Sequence, residues 1–195
     1  MKTIIFDFGG VFNLRTSVKE FWQNNAKVLG VDPEKADKIT LDIWLKARIG
    51  KIDSDIFWTE SAKLVKMSAE DFKDCFFNYT GWREDLYDFV KQELAGKYKL
   101  GMVSNQIESW LKPIIEEKGL RDLFDVIITS YELGIAKPDI RAYQEAVNKL
   151  AVDPKDCIYI DDFEHNLKPA QELGMETILF KDTASLKKEL NKLLS

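Results

Sequence analysis

The hydrophobic residues of this chain occur mainly in short runs that are separated by longer amphipathic stretches. Five runs of four or five residues are mostly apolar: Thr3–Phe6, Lys99–Val103, Val126–Thr129, Cys157–Ile160 and Thr177–Phe180. Each run is too short for a helix, and continuous apolar runs of this length are typical of strands that are buried on both faces. The pattern therefore predicts five buried parallel strands.

Helical periodicity fills the segments between the last four of these runs. Apolar residues recur every three or four positions in Ile107–Lys118, Pro138–Leu150 and Glu164–Leu173. We expect Pro138 to begin the second of these helices and Gly174 to follow the third. Strands that alternate with helices in this way form a parallel sheet with helices on both faces. We therefore predict an α/β fold with a doubly wound, Rossmann-like parallel sheet.

The segment between the first two predicted strands is much longer than a simple crossover requires. Its pattern is helical from residue 17 to residue 79, with apolar residues at helical spacing in three groups: Phe21, Trp22, Val28, Leu29; Ile39, Ile43, Trp44, Ala47; and Ile56, Phe57, Leu64, Val65. Aromatic stripes at this spacing usually pack in a core rather than bind a ligand. We predict an α/β core formed by residues 1–15 and 81–195, with a small helical bundle, the cap, inserted at residues 16–80.

Composition and charge exclude several classes of partner. The 195 residues carry a formal net charge of -5, and 31% of them are charged. Acidic and basic residues are interspersed, so we expect no basic face for nucleic acid. Asp7 interrupts the first apolar run before it reaches the length of a signal sequence, and no run approaches the roughly 18 apolar residues of a spanning helix. We therefore expect a cytoplasmic protein with no nucleic acid or membrane partner.

Polar residues follow four of the predicted strands. Asp7 ends the first strand and is followed by Gly9 and Gly10, and the other candidates are Ser104, Asn105, Lys137, Asp161 and Asp162. In an open parallel sheet, ligands bind outside the carboxyl ends of the strands. Each of these residues alone has an ordinary structural explanation as a helix cap or a turn residue. Their joint position at the strand ends of one sheet predicts a functional site.

The residue types of this predicted site suit magnesium and phosphate. Carboxylates of Asp7 and of the Asp161–Asp162 pair would supply the oxygen ligands that Mg²⁺ prefers. Ser104, Asn105 and backbone N–H groups of the Gly9–Gly10 loop would hold phosphate oxygens, and Lys137 would offset the developing negative charge. The Gly9–Gly10 pair would allow the main chain to fold closely over an anion.

These residues resemble the four motifs of the haloacid dehalogenase (HAD) superfamily, in order and over almost the whole chain. Ile4–Val11 resembles the first motif, Val103–Asn105 the second, and Lys137–Pro138 the third. Tyr159–Asp162, followed by Asn166, Ala170 and Gly174, resembles the fourth. The inserted segment is similar to the helical caps that close over small substrates in this superfamily.

The resemblance implies a role for each motif residue. Asp7 would be the nucleophile, Ser104 would bind phosphate, and Lys137 would orient both. Asp162 would hold Mg²⁺, with Asp161 as a further candidate ligand and with the backbone carbonyl of Gly9 as another. The implied activity is hydrolysis of a small phosphorylated metabolite, for which a sugar phosphate is one candidate, through an aspartyl phosphate on Asp7.

Gly9 departs from the pattern of most phosphatases in this superfamily, which carry an aspartate at this position as acid and base. Loss of a positioned proton donor typically costs about 100- to 10,000-fold in rate. The variant Phe-Asp-x-Gly-x-Val nevertheless resembles a branch of the superfamily similar to sugar-1-phosphate phosphatases. His165, the only histidine, is a weak candidate for a replacement base.

Two alternative functions stay open from the sequence. Without a carboxylate at position 9, the chain could be a catalytically weak protein that binds a phosphorylated metabolite. It could also be a dehalogenase, since dehalogenases of the superfamily lack that aspartate and do not use magnesium. The acidic pair Asp161–Asp162 argues against a dehalogenase, because a halide-releasing site gains nothing from carboxylates placed for a cation.

The cap is expected to select the substrate, because the motif residues account only for phosphate and metal. Arg48 and Lys51 flank Gly50, where the second cap helix is predicted to end. Basic side chains at such a helix end could contact polar groups of the substrate, although exposed basic residues are common there. The oligomeric state and the identity of the substrate are not encoded in these patterns.

Overall fold

A computed structural model describes residues 2–15 and 17–194. In this part of the chain, five parallel strands form one sheet in the order β3-β2-β1-β4-β5. The strands are β1 (Thr3–Phe6), β2 (Lys99–Ser104), β3 (Val126–Thr129), β4 (Cys157–Asp161) and β5 (Glu176–Leu179). This order places β1 at the centre of the sheet. The chain adds β2 and β3 on one side of β1 and then adds β4 and β5 on the other side. The predicted doubly wound α/β fold is confirmed, and the predicted strands match those observed to within a residue or two.

Two sets of helices accompany the sheet. The inserted segment forms α1 (Val18–Leu29), α2 (Pro33–Ala47), α3 (Asp55–Val65) and α4 (Ala69–Thr80). The remaining helices are α5 (Glu84–Phe89), which continues as a π-helical turn (Val90–Leu94), α6 (Glu108–Glu117), α7 (Leu120–Leu123), α8 (Ser130–Leu133), α9 (Ile140–Leu150), α10 (Glu164–Glu172) and α11 (Thr183–Leu194), with a 3-10 turn at Pro154–Asp156.

The sheet has an apolar layer on each face, as the runs of buried residues predict. Side chains alternate along a strand, so Ile4 and Phe6 of β1 face one core cluster, while Ile5 faces another. The second cluster contains residues of α9 and α10, including Tyr143 and Leu167. Burial on both faces fixes the strand register, because a one-residue slip would exchange the two faces.

One predicted helix start was wrong. Pro138 precedes helix α9, which begins at Ile140, and the side chain of Asp139 accepts a hydrogen bond from the Arg141 N–H. Asp139 therefore caps the helix, in the role that Asp commonly fills at this position. The extra residues before the helix leave Lys137 and Pro138 in the loop at the strand ends.

The cap helices pack through aromatic side chains. Phe21, Trp22 and Phe57 are fully buried, whereas Val28 is 88% exposed despite its helical spacing. A fourth helix, α4, adds Phe72 and Phe76 to the same core. The expectation that the aromatic stripes form a core is therefore met by these residues.

Trp110 of α6 connects the cap to the sheet region. Its ring lies 5.6 Å from the ring centre of Trp44 and 5.5 Å from that of Phe76. Edge-to-face and tilted aromatic pairs at these distances add to the stabilisation that burial itself provides. The inserted helices thus lie against the face of the core that carries the strand-end loops.

Helix length and hydropathy also bear on membrane insertion. Among residues 2–15 and 17–194, no helix is both long and apolar enough to cross a bilayer.

Candidate active site

Strand register brings the predicted acidic residues together. Phe6 pairs with Ile160 across β1 and β4, so the following residues, Asp7 and Asp161, lie side by side at the sheet edge. The Asp7 N–H donates to the Ile160 carbonyl over 2.8 Å and extends this pairing by one residue. The backbone of Asp7 is therefore held by the sheet, and its side chain emerges where the strands end.

Lys137 lies at the centre of a buried polar network. Its Nζ is 2.6 Å from Asp7 Oδ1 and 2.8 Å from Asp161 Oδ2, and it donates to the Tyr159 hydroxyl over 2.9 Å. An ammonium has three N–H donors, and these three acceptors match them. The Lys137 side chain is 1% exposed, so water does not compete with these bonds. Lys137 is thus fixed in contact with Asp7.

Asn105 fixes the backbone of Lys137. The Asn105 side chain donates to the Lys137 carbonyl over 2.9 Å and accepts from the Lys137 N–H over 2.8 Å. This reciprocal pair ties the loop before α9 to the end of β2. We predicted Asn105 as a phosphate-binding residue, and the structure shows both ends of its amide engaged with Lys137. Its observed contribution is to position the lysine.

Asp161 is surrounded by hydrogen-bond donors. Its Oδ1 accepts from the Phe163 N–H at 2.9 Å and from Asn166 Nδ2 at 3.0 Å. Its Oδ2 accepts from Lys137 and from the Tyr159 hydroxyl, each at 2.8 Å. These bonds account for most of the acceptor capacity of a carboxylate. Asp161 is completely buried and holds Lys137 and Tyr159 in place.

Asp162 has a contrasting environment. It is half-buried, and its Oδ1 is enclosed without a hydrogen-bond partner among the described residues. Gly10 lies directly beside it, with φ +72°, and a Cβ at Gly10 would stand 2.0 Å from Asp162 Oδ2. Both the left-handed backbone and the lack of space require glycine at position 10. The Gly10 N–H donates to Asn13 Oδ1 at 3.2 Å, so this glycine's observed role is to admit Asp162.

Burial and mutual repulsion shift the ionisation of these groups. Burial, reinforced by the charges of Asp161 and Asp162 and opposed by Lys137, raises the pKa of Asp7 to about 8. Burial and then the Asp161 charge raise the pKa of Asp162 to about 7. Burial alone would lower the pKa of Lys137, but Asp7 and Asp161 raise it above its usual value. The site therefore holds more negative charge than its own cation offsets.

This arrangement fits a divalent cation. One carboxylate oxygen from each of Asp7, Asp161 and Asp162 lies within 4.8 Å of the others. When all three carboxylates are ionised, together with one ammonium they leave two uncompensated negative charges, which one Mg²⁺ ion would neutralise. Carboxylate oxygens are the ligands that Mg²⁺ takes, and the unpartnered Asp162 Oδ1 is available to it. The donor set and its charge are both those of a magnesium site.

A cavity of about 330 Å³ opens beside this cluster. Its lining comes from the strand-end loops and the cap: Asp7, Gly9, Trp44, Arg48, Asn105, Gln106, Lys137, Pro138, Phe163, His165 and Asn166. This volume suits a small metabolite. Ser104, at the end of β2, is 1% exposed and its Oγ is enclosed without a partner, although it is not itself among the lining residues.

The structure separates the two cap residues that we predicted to contact the substrate. Arg48, directly after α2, is half-buried and lines the cavity. Lys51 is exposed and is not among the lining residues, so the structure does not bring it to the site. The predicted end of the second cap helix at Gly50 was late, because α2 ends at Ala47 and Arg48 caps it.

Several lining residues were not singled out from the sequence. Trp44 had been assigned to core packing alone, and although it is buried it also lines the cavity. Gln106 follows the predicted phosphate-binding pair by one position, which is the signal that could have found it. Phe163 lies at the start of α10, and its ring centre is 5.4 Å from that of His165, which was a candidate for a replacement base. Gly9, the predicted departure from the family pattern, is buried in the lining and leaves position 9 without a carboxylate.

Comparison with known proteins finds curated relatives and similar solved structures. The chain is 27% identical over 210 aligned residues to the D-ribitol-5-phosphate phosphatase of Bacteroides thetaiotaomicron, which covers 100% of this chain and 99% of that protein. A HAD family enzyme of the same species has a TM-score of 0.77 at 25% identity, with 95% of this chain and 98% of that one covered. A structure of its wild-type form in complex with magnesium and inorganic phosphate has a TM-score of 0.75 at 25% identity, with the same coverage.

A shorter sequence match is to part of a larger protein. The chain is 44% identical over 69 residues to the bifunctional epoxide hydrolase 2 of Rattus norvegicus, which is 35% of this chain and 12% of that protein. The chain therefore matches only about an eighth of the length of that relative.

A family model gives the assignment. The model for hydrolases of the haloacid dehalogenase-like type matches residues 1–174, which is most of the chain. The match confirms the resemblance found in the four strand-end motifs. The chain belongs to the haloacid dehalogenase-like hydrolases.

Proposed function

We propose that this protein is a magnesium-dependent phosphatase that hydrolyses a small phosphorylated metabolite through an aspartyl phosphate on Asp7. The observation that carries this proposal is the contact between Asp7 and Lys137 beside an acidic cluster with a net charge opposite to that of Mg²⁺. A phosphatase that forms a covalent intermediate needs a nucleophile and a means of neutralising phosphate charge in one place.

Each group in the cluster has a distinct role in this proposal. Asp7 attacks phosphorus, and the bond to the leaving oxygen of the substrate breaks as the new P–O bond forms. Both contacts of the Asp7 carboxylate with Lys137 and with the Phe8 N–H use Oδ1, which orients the group. The Ser104 hydroxyl donates a hydrogen bond to a phosphate oxygen, a role that its enclosed and unpartnered Oγ supports. Water then attacks phosphorus and releases inorganic phosphate, which restores Asp7.

Magnesium would be held by Asp7, Asp162 and the backbone carbonyl of Gly9. When bound, it would supply charge neutralisation for the phosphoryl group. Asp161 was predicted as a further candidate ligand, and its hydrogen bonds favour a positioning role, because Lys137, Tyr159 and Asn166 occupy its oxygens. In this proposal Asp161 keeps Lys137 charged and in contact with Asp7.

Relatives narrow the substrate only to a class. The full-length relative is named for ribitol phosphate, and two shorter matches, from Methanopyrus kandleri and Methanothermobacter thermautotrophicus, are named as glyceraldehyde 3-phosphate phosphatases. We propose a sugar or polyol phosphate of similar size for this chain, with residues 16–80 acting as the cap that encloses it. The cavity of about 330 Å³ accommodates a molecule of that size.

The test is hydrolysis of 4-nitrophenyl phosphate by the purified protein, with and without Mg²⁺. The proposal requires turnover that disappears with EDTA and returns with added Mg²⁺. Absence of turnover at saturating Mg²⁺, together with binding of phosphate, would instead favour a phosphometabolite-binding protein. Release of halide from a haloacid without Mg²⁺ would favour a dehalogenase.

A further inference from the structure

Arg48 is an unpaired cation in the wall of the cavity. Within residues 2–15 and 17–194 its guanidinium makes no ion pair and no hydrogen bond, and its Nε is enclosed without a partner. Burial lowers the pKa of this guanidinium, because the charged group loses contact with water. An enclosed polar atom without a partner destabilises the folded protein. An acceptor oxygen supplied by a ligand would remove that destabilisation.

The backbone around Arg48 is held firmly by the core. The Ser130 hydroxyl donates to the Arg48 carbonyl, and the Arg48 N–H donates to the Trp44 carbonyl over 2.8 Å. Gly50 follows with φ +68°, and a Cβ there would stand 2.6 Å from the Tyr131 carbonyl oxygen. The cap loop therefore lies against the core at this point. Arg48 is presented to the cavity from a fixed backbone rather than from a free loop.

Gln106 supplies the complementary feature on the core side. It is 7% exposed, lines the same cavity, and has an Oε1 that is enclosed without a donor among the described residues. Asn166, also in the lining and 5% exposed, has an unpartnered Oδ1. Among the described lining residues, Arg48 on the cap thus offers an unpaired donor, and Gln106 and Asn166 on the core offer unpaired acceptors.

We propose that Arg48 and Gln106 form a subsite that recognises hydroxyl groups on the carbon skeleton of the substrate, so that the preferred substrates are polyhydroxylated phosphate esters. A hydroxyl can accept from Arg48 and donate to Gln106 at the same time. A carboxylate or a second phosphate would satisfy Arg48 but would leave the amide acceptors unpaired. This inference rests on the proposed phosphatase function and adds to it the residues that recognise the hydroxyl groups of the substrate.

The experiment compares glycerol 3-phosphate with n-propyl phosphate, which has the same carbon chain without the two hydroxyl groups. For wild-type protein, we expect kcat/KM for glycerol 3-phosphate to exceed that for n-propyl phosphate by about 5- to 30-fold, as one or two hydrogen bonds of about 1 kcal/mol each imply. Arg48→Met and Gln106→Leu should each reduce this ratio at least about 3-fold, and each should lower kcat/KM for glycerol 3-phosphate more than kcat/KM for 4-nitrophenyl phosphate.

Matched variants control for charge and folding. Lys46→Met removes an exposed positive charge two residues before Arg48 and should leave the ratio unchanged. Arg48→Lys keeps the charge but loses the Nε donor, and it should give an intermediate ratio. Thermal unfolding of each variant shows whether it is folded, and Arg48→Lys keeps the test decisive if Arg48→Met does not fold.

The outcomes separate this inference from the function on which it rests. If the ratio of kcat/KM for glycerol 3-phosphate to that for n-propyl phosphate is unchanged in Arg48→Met and Gln106→Leu, the subsite is wrong. If Mg²⁺-dependent hydrolysis of 4-nitrophenyl phosphate is intact in these proteins, the phosphatase function still stands. Equal losses on all three substrates would show that Arg48 binds the transferred phosphate, and would also overturn it. A wild-type preference for 3-phosphoglycerate over glycerol 3-phosphate that Arg48→Met removes would assign Arg48 to a carboxylate instead. No hydrolysis of any phosphate ester would contradict the phosphatase function itself.

Discussion

The strand-end cluster and the Arg48–Gln106 subsite contain similar types of residue, but they differ in whether their polar groups have hydrogen-bond partners. In the cluster, Lys137 and Asp161 are fully buried and satisfy each other within a closed network. Around the cavity, Arg48 of the cap is half-buried and Gln106 of the core is buried, and each has an enclosed polar atom without a partner among the described residues. A satisfied network holds reacting groups in a fixed geometry, whereas unsatisfied groups await a ligand. The difference suggests that chemistry resides in the first region and substrate choice in the second.

The largest expected effect comes from Asp7. Asp7→Asn keeps the shape of the side chain but removes both the nucleophile and one metal ligand, so hydrolysis of every phosphate ester should fall to background. Measured kcat for 4-nitrophenyl phosphate at high Mg²⁺ tests this. Retention of more than a few per cent of turnover would mean that the covalent step is assigned to the wrong residue.

Substitution of Gly9 should give the next largest effect, which is a gain in turnover. The positive φ of the glycine pair belongs to Gly10 and not to Gly9, so an aspartate at position 9 meets no left-handed strain. Gly9→Asp should raise turnover of alkyl phosphates, toward the roughly 100- to 10,000-fold that a positioned proton donor supplies, and should raise that of aryl phosphates much less.

Gly9→Asn is the matched control, because it adds similar bulk without a group that can be protonated. The comparison uses kcat for n-propyl phosphate and 4-nitrophenyl phosphate in both variants. Equal effects from the two substitutions would show that proton transfer is not what position 9 lacks. His165, which lines the same cavity, would then be the next residue to test as an acid.

The two neighbouring aspartates should respond differently to magnesium. Asp162→Asn weakens the metal site, so its loss of activity should be partly restored by high Mg²⁺. Asp161→Asn disturbs Lys137, so an approximately 10- to 100-fold loss should persist at every Mg²⁺ concentration. Titration of activity with Mg²⁺ for both variants tests the distinction. The same Mg²⁺ response in both would place the two carboxylates in equivalent roles.

The smallest expected effect concerns how the free energy of unfolding of the metal-free protein changes with pH. Burial raises the pKa of Asp162 to about 7 and that of Asp7 to about 8, above their ordinary value of 3.8. The folded protein then holds these protons more tightly than the unfolded chain does. Its free energy of unfolding should therefore fall as pH rises from about 4 to about 8.

Magnesium should reverse this loss, because it binds the ionised carboxylates. At a free concentration of about 100 times its dissociation constant, Mg²⁺ adds about 2.7 kcal/mol to the free energy of unfolding. The difference in unfolding temperature between samples with Mg²⁺ and samples with EDTA should therefore be larger at about pH 8 than at about pH 5. Asp162→Asn is the matched control and should narrow the difference. An equal difference at both pH values would exclude Asp7 and Asp162 as the groups that the metal deprotonates.

The core was predictable from sequence because each of its features has a local signal. The strands stand out as short apolar runs, and the polar residues that end them, such as Asp7 and Ser104, are adjacent in sequence to those runs. Parallel pairing then brings the strand ends together without further information. The end of α2 was misplaced because Gly50, with its positive φ, looked like a helix end, although its geometry serves the contact with Tyr131.

The cap side was much less predictable. Trp44 follows the same helical spacing as any core residue, and only the tertiary contact with Trp110 determines that it also borders the cavity. Arg48 and Lys51 were equivalent in sequence, and they differ in burial because the loop turns against the core between them. The network of Tyr159 with Lys137 was missed, because an apolar strand gives no reason to expect its tyrosine to bind a lysine from another loop.

The most direct test of the covalent mechanism follows Asp7 and oxygen from labelled water. Protein quenched in acid during turnover of 4-nitrophenyl phosphate with Mg²⁺ should carry one phosphoryl group on the peptide that contains Asp7, as mass spectrometry can detect. In H₂¹⁸O, the label should enter the released phosphate and not the Asp7 carboxylate, because water attacks phosphorus. Turnover with no phosphoryl group on that peptide, or with ¹⁸O in the Asp7 side chain, would contradict the account.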